Sequence, residues 1–127
     1  PAPPGPRRSP RNVFSAPPIW DSPPPHTTGG AVDMNIVDES GERLDFISPF
    51  EMGWDSAPTH MAGLSPTARA NRELLISILL PTGLTNFRGE WWHWSYGEPG
   101  WALRTGRLVA LYGAVPEDEI PEWSAPG

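Results

Sequence analysis

Between Ala31 and Val37, apolar and polar residues alternate with period two. Val32, Met34 and Ile36 share one face, and Ala31, Asp33, Asn35 and Val37 share the other. That alternation predicts a strand with an apolar core face and a second face carrying polar groups. Glu39-Ser40-Gly41-Glu42 then reads as a hairpin-like turn, with residues 43–47 as the returning strand. A longer period governs residues 65–80. Ser65 is suited to cap a helix and Pro66 to occupy its first position, while Leu74, Leu75, Ile78 and Leu79 fall on one helical face. Pro81 and Gly83 end that helix. The aromatic-rich residues 87–96 predict a second strong strand, and residues 103–112 a third. Residues 48–64, punctuated by Pro49, Gly53, Pro58 and Gly63, form a long loop. Loops of that length in a compact domain are often functional.

The two ends have a different texture. Residues 1–25 hold ten of the 18 prolines and carry three Arg against one Asp. Proline fixes φ and lacks a backbone donor, so this stretch predicts no helix or central strand. Residues 1–11 are expected to be extended or disordered. Residues 12–20 are expected to lie along the domain surface through Val13, Phe14, Ile19 and Trp20. The organisation expected is therefore a Pro-rich segment at 1–25, one folded domain at 26–115 and an acidic tail at 116–127.

Composition narrows the classes of function. A chain of 127 residues is enough for one small domain. Leu, Ile, Val and Phe together number 25, near the lower edge for a packed globule, but seven Trp add apolar area. Net charge is −6, and with no Lys all nine positive charges are Arg. An acidic chain without a basic stripe argues against a nucleic-acid partner. The sequence has no run of 18 apolar residues, so no membrane-spanning helix is expected. Cys is absent, which excludes disulfides and thiolate metal sites.

Three histidines remain as candidate ligands: His26, His60 and His93. His26 precedes Asp33 by seven residues, with Gly29-Gly30 between them. A Gly-Gly turn lets the chain double back, so a loop His can approach a carboxylate on the polar face of the next strand. His93 follows Glu90 by three residues. Two imidazoles and a carboxylate would leave one position open on a tetrahedral zinc, as catalytic sites do. Water held there ionises near neutral pH, with a nearby Glu as general base. Residues three apart on a regular strand point to opposite faces, so Glu90 and His93 could not share a site there. A bulge, or a strand that begins after Glu90, removes the conflict, and Gly89 favours such an irregularity. The alternative is that Glu90 is a solvated charge at a strand end and His93 packs among Trp91, Trp92 and Trp94.

These residues fall into recognisable motifs. Pro25-His26-Thr27-Thr28-Gly29-Gly30-Ala31-Val32-Asp33 resembles the His-x-x-Gly-x-Ala-x-Asp motif of zinc D-alanyl-D-alanine dipeptidases. Gly89-Glu90-Trp91-Trp92-His93-Trp94 resembles their Glu-Trp-Trp-His motif. Ser48-Pro49-Phe50-Glu51 is similar to the family's Thr-Pro-Phe-Asp segment. The stretch from Leu64-Ser65-Pro66 through Ala70-Asn71-Arg72 to Leu74-Leu75 is similar to its mid-domain helix. The motifs stand in the family's order, and the resemblance covers residues 12–113.

The resemblance implies an α+β fold of the D-Ala-D-Ala metallopeptidase, hedgehog-like type. A small antiparallel sheet would carry the zinc site, with one main helix packed on it. It implies Zn2+ as cofactor, held by His26, Asp33 and His93. Glu90 would be the general base that takes a proton from water and returns it to the leaving amine. Glu51 would bind the ammonium group of the substrate, and His60 would belong to the surrounding loop. The substrate implied is the small dipeptide D-Ala-D-Ala, a bacterial cell-wall precursor, in the cytoplasm. A related peptidoglycan D,D- or L,D-carboxypeptidase, and a truncated inactive zinc-binding domain, are the alternatives. The chain departs from the family at Pro24, where a Ser is usual. It also departs in the upstream Arg that stabilises the oxyanion, a role not carried onto Arg7, Arg8 or Arg11. It is accordingly expected to correspond to the C-terminal part of such a peptidase, with Pro-rich sequence in place of the N-terminal helices.

Overall fold

The structure, a computed structural model, describes residues 24–119. The expectations for residues 1–23 and for the end of the acidic tail lie outside that range. Contacts divide the chain into a central unit, Ala31–Tyr96, and a second unit made of the segments that run up to Gly30 and on from Gly97.

The central unit is α+β, with a three-stranded antiparallel sheet and one main helix. The strands are β1 (Ala31–Asp33), β2 (Thr85–Asn86) and β3 (His93–Ser95), in the order β1-β3-β2. Ala31 pairs with Ser95, Val32 with Trp94 and Asp33 with His93. Helix α1 spans Pro66–Leu79. Its start is as read from the sequence: the Ser65 side chain accepts from the Ala68 N–H, and Pro66 takes the first position, where a missing donor costs nothing. A 3-10 turn at Leu80–Thr82 then closes on Gly83, whose φ of 95° lies in the left-handed region.

The buried face of α1 differs from the expected one. Ala68, Arg72 and Leu75 are buried, with Ile76 and Leu79 packed partly against the core, whereas Leu74 and Ile78 are exposed. A helical row through 68, 72, 75 and 79 has the required spacing, and the long Arg72 side chain occupies a place that pattern reading reserves for an apolar residue. The core it joins is Phe46, Leu75, Trp91 and Trp94. Phe46 stacks on Trp91 at 4.4 Å between centroids. Trp92 meets Trp91 edge-on at 5.4 Å, and the exposed Trp54 meets Trp92 edge-on at 5.6 Å.

The strands are shorter than the alternation predicts. β1 ends at Asp33, and Val32, expected in the core, is exposed because β1 is an edge strand and Trp94 fills the face they share. The 39–42 turn forms, with Val37 bridged to Arg43, but residues 43–47 make no returning strand. Side-chain acceptors take over the backbone there. The Asp38 carboxylate accepts from the Ser40 and Glu42 N–H groups, and the Asp45 carboxylate from those of Ile47 and Ser48. These bonds hold both carboxyls below the usual Asp value, led by the Ser40 hydroxyl at Asp38 and the Ser48 N–H at Asp45. The 48–64 loop begins with a cis Ser48–Pro49 bond and contains a 3-10 turn at Trp54–Ser56.

Residues 87–96 are not one strand. β2 ends at Asn86, a turn intervenes, and β3 begins at His93. Nor do residues 103–112 form a strand. In the second unit, helix α2 spans Pro99–Arg104, and Leu108, Val109, Leu111 and Tyr112 are exposed. The buried Glu98 caps α2 by accepting from the Gly100 and Trp101 N–H groups. Trp101, Ala102 and Ala110 form the small core of that unit, with Arg107 stacked over Trp101 at 4.5 Å. No helix among the described residues is long and apolar enough to cross a membrane.

Candidate metal centre

His26 lies in a 3-10 turn, Pro25–Thr28, that ends on Gly29 in the left-handed region, with φ of 72°. The turn is held by its own hydroxyls. Thr27 Oγ1 donates to Pro24 O at 2.6 Å and Thr28 Oγ1 to Pro25 O at 2.7 Å, while Thr28 Oγ1 accepts from Gly30 N–H at 3.0 Å. The chain thus reverses at Gly29-Gly30 and enters β1, which ends on Asp33.

Asp33 faces His93 across the β1–β3 pair, with His93 Nδ1 3.8 Å from Asp33 Oδ1. His93 Nδ1 is also 3.8 Å from Glu90 Oε2. Both separations are too long for a hydrogen bond. Phe87 meets the His93 ring edge-on, at 5.9 Å between centroids. Glu90 comes to the side of His93 because residues 87–92 form a turn, not a strand. Glu90 N–H donates to Phe87 O, and His93 N–H to Glu90 O. The strand beginning after Glu90, which the shared site requires, is the arrangement observed.

Further bonds tie this turn to the rest of the central unit. Asn86 Nδ2 donates to the carbonyls of Glu90 and His93 at 3.0 Å each and lies 3.4 Å from that of Trp91. Asn86 Oδ1 accepts from the Thr59 hydroxyl at 2.6 Å. Thr59 N–H donates to Arg88 O, and Trp91 N–H to Ala57 O. The 56–59 segment is in turn gathered by Arg72 of α1, whose guanidinium donates to the carbonyls of Phe46, Ser56, Pro58 and Thr59. Burial pushes the Arg72 pKa down to about 10, so the group stays charged at neutral pH.

Within the central unit, Asp33 and Glu90 bring two carboxylates to the His93 imidazole, donors that could hold a metal ion, and His26 stands on the turn that precedes β1. Imidazole and carboxylate together suit a borderline-soft divalent ion that accepts mixed nitrogen and oxygen donors. Glu51 and His60 are both exposed on the 48–64 loop. Sequence reading missed the parts played by Thr59, Arg72 and Asn86. Arg72 was detectable from its helical spacing with Ala68 and Leu75. Asn86 had a weaker signal: an amide side chain entering a stretch with Gly89 near its middle.

The sequence matches a family model described as D-ala-D-ala dipeptidase over residues 11–109. A D-alanyl-D-alanine dipeptidase of Synechocystis sp. is 31% identical over 111 residues, covering 74% of this chain and 45% of the relative. A D-alanyl-D-alanine dipeptidase of Escherichia coli is 32% identical over 68 residues, covering 54% of this chain and 35% of the relative. The chain thus spans less than half the length of either. No solved structure matches.

Proposed function

We propose that this chain, which belongs to the D-Ala-D-Ala dipeptidase family of metallopeptidases, carries a zinc centre that hydrolyses the dipeptide D-Ala-D-Ala. One observation carries the proposal. Asp33 and Glu90, the latter brought round by the turn, each stand 3.8 Å from His93 in the central unit, and His26 joins them by the resemblance of its motif. His26, Asp33 and His93 would hold the zinc. The ion supplies Lewis-acid polarisation of a peptide carbonyl and makes water more acidic.

The protein's own groups do the rest. Glu90 takes a proton from the water that adds to the carbonyl carbon and delivers it to the nitrogen as the C–N bond breaks. The products are one free carboxylate and one free amine. Glu90 is suited to this because its side chain is only a quarter exposed, 26%, beside the buried His93. Glu51, exposed on the 48–64 loop, is the proposed partner of the substrate's ammonium group. The cytoplasm is the compartment that the resemblance implies.

The test is zinc stoichiometry and D-Ala-D-Ala hydrolysis for the wild type and for Glu90→Gln. The amide keeps the shape of Glu90 but cannot accept the proton. The expected result is one zinc per chain in both proteins, and a loss of hydrolysis of about a hundred- to ten-thousand-fold in the variant. Hydrolysis that persists in Glu90→Gln, or a wild type that binds no zinc, overturns the reading. Cleavage of longer D,D- or L,D-peptides in preference to the dipeptide assigns the centre to a carboxypeptidase.

A further inference from the structure

The turn at 87–92 poses a physical problem. A six-residue excursion between two paired strands has to be held on one path, and its backbone acceptors need donors. Three of them, on Glu90, Trp91 and His93, converge on Asn86 Nδ2, besides accepting from the His93 N–H, the Trp94 indole and the Phe87 N–H respectively. The orientation of the carboxamide follows from its neighbours. Carbonyls surround one end, so that end is the NH2. The Thr59 hydroxyl donates to the other, so that end is the oxygen. Thr59 itself is 4% exposed, and its own carbonyl is held by Arg72.

We propose that Asn86 is a positioning residue for this centre: its carboxamide holds the 87–92 turn on the path that sets Glu90 and His93 side by side, and Thr59 fixes that carboxamide from behind. This rests on the reading of Glu90 and His93 given above, but its physical content is independent of metal and turnover. A continuous strand would send Glu90 and His93 to opposite faces. The bonds to Glu90 O and His93 O join the two backbone points whose spacing decides otherwise. Asn86 acts through the residues it ties rather than by touching substrate or metal.

Asn86→Ala removes the donor, and Asn86→Asp turns an acceptor toward three carbonyls. Thr59→Val deletes only the hydroxyl, and Thr59→Ser restores it. In the metal-free protein, the Glu90, Trp91 and His93 amides should exchange hydrogen about tenfold or more faster in Asn86→Ala, Asn86→Asp and Thr59→Val. α1 amides should keep their protection, because local openings cost less than global unfolding. Thr59→Ser should match the wild type.

Zinc affinity should fall about tenfold in Asn86→Ala, the loss typical for partners outside the ligand set. If the chain turns over dipeptide, kcat should fall with KM unchanged, and Asn86→Ala should cost nothing further in a Glu90→Gln background. Turn amides that exchange at the wild-type rate in Asn86→Ala overturn the proposal. So does an increase shared equally by α1, which marks general destabilisation. Failure of the zinc reading would appear instead as a wild type that binds no metal, with the exchange result still deciding the role of Asn86.

Discussion

Asp33 and His93 are paired across two strands, yet the Asp33 side chain is 55% exposed and that of His93 only 6%. The stretch leading to Asp33 is shaped largely by its own turn, through hydroxyls bonded three residues back. The stretch leading to His93 is tied to groups 27 and 28 positions away in sequence, through Thr59. One side of the centre is thus cheap to alter without disturbing the fold. The other is continuous with the core, so that chemistry and stability there are properties of the same atoms. Exposure at the first side leaves room for a ligand to enter. Burial at the second restricts the rotamers of His93 before any ligand arrives, which is the preorganisation that a metal centre needs.

The comparison can be attacked first at Arg72. Arg72→Met keeps the volume but strands the carbonyls of Phe46, Ser56, Pro58 and Thr59, and should destabilise by about 3 kcal/mol or more in a denaturant melt. A loss below about 1 kcal/mol would mean that the buried side is not pinned as described. Next come the two partners themselves. Asp33→Ala and His93→Ala should both lose most bound zinc. Only His93→Ala should also lower metal-free stability, by about 2 kcal/mol, because only His93 is buried. Equal metal-free melts for the two variants would erase the difference.

A smaller effect is expected in the turn that carries His26. Thr28→Val removes the bonds to Pro25 O and from Gly30 N–H at constant shape, and should cost about 1 kcal/mol. The smallest concerns Asp45, beside the 48–64 loop. Backbone hydrogen bonds from Ser48 and Ile47 hold its carboxyl below the ordinary Asp value when folded, so it contributes stability above that ordinary value. That contribution is lost as pH falls through the lower, folded value. In acid titrations of stability, Asp45→Asn should therefore differ from the wild type at neutral pH and converge with it in strong acid.

What could be read from the chain follows from how local the cause is. α1 was legible because its signals, Ser65, Pro66, Pro81 and Gly83, act within a few residues of where they stand. The His26-to-Asp33 turn was legible for the same reason, since Gly29 supplies the left-handed conformation itself. Strand lengths were not. Alternation through 31–37 continues after the pairing stops, because the ladder depends on what β3 offers, and β3 has only three residues. The 103–112 stretch misled because apolar residues there stay exposed, while the helical start at Glu98-Pro99 lies just before it. Arg72 and Asn86 escaped because each acts across the fold. A buried guanidinium or amide is defined by the carbonyls it meets, and those belong to segments far along the sequence.

The rings of Phe46, Trp91, Trp92 and Trp54 run from stacked to edge-on, at 4.4, 5.4 and 5.6 Å. Trp91 is 5% exposed and Trp54 is 73% exposed. Light absorbed by the inner indoles can therefore migrate outward through neighbours in van der Waals range and be emitted, or extinguished, at the solvent end. A collisional quencher that reaches only Trp54 would then darken more than one fluorophore. Displacement of the 48–64 loop would break the series and return the inner rings to a bluer, protected emission. The chain so carries its own optical gauge of that loop, needing no label.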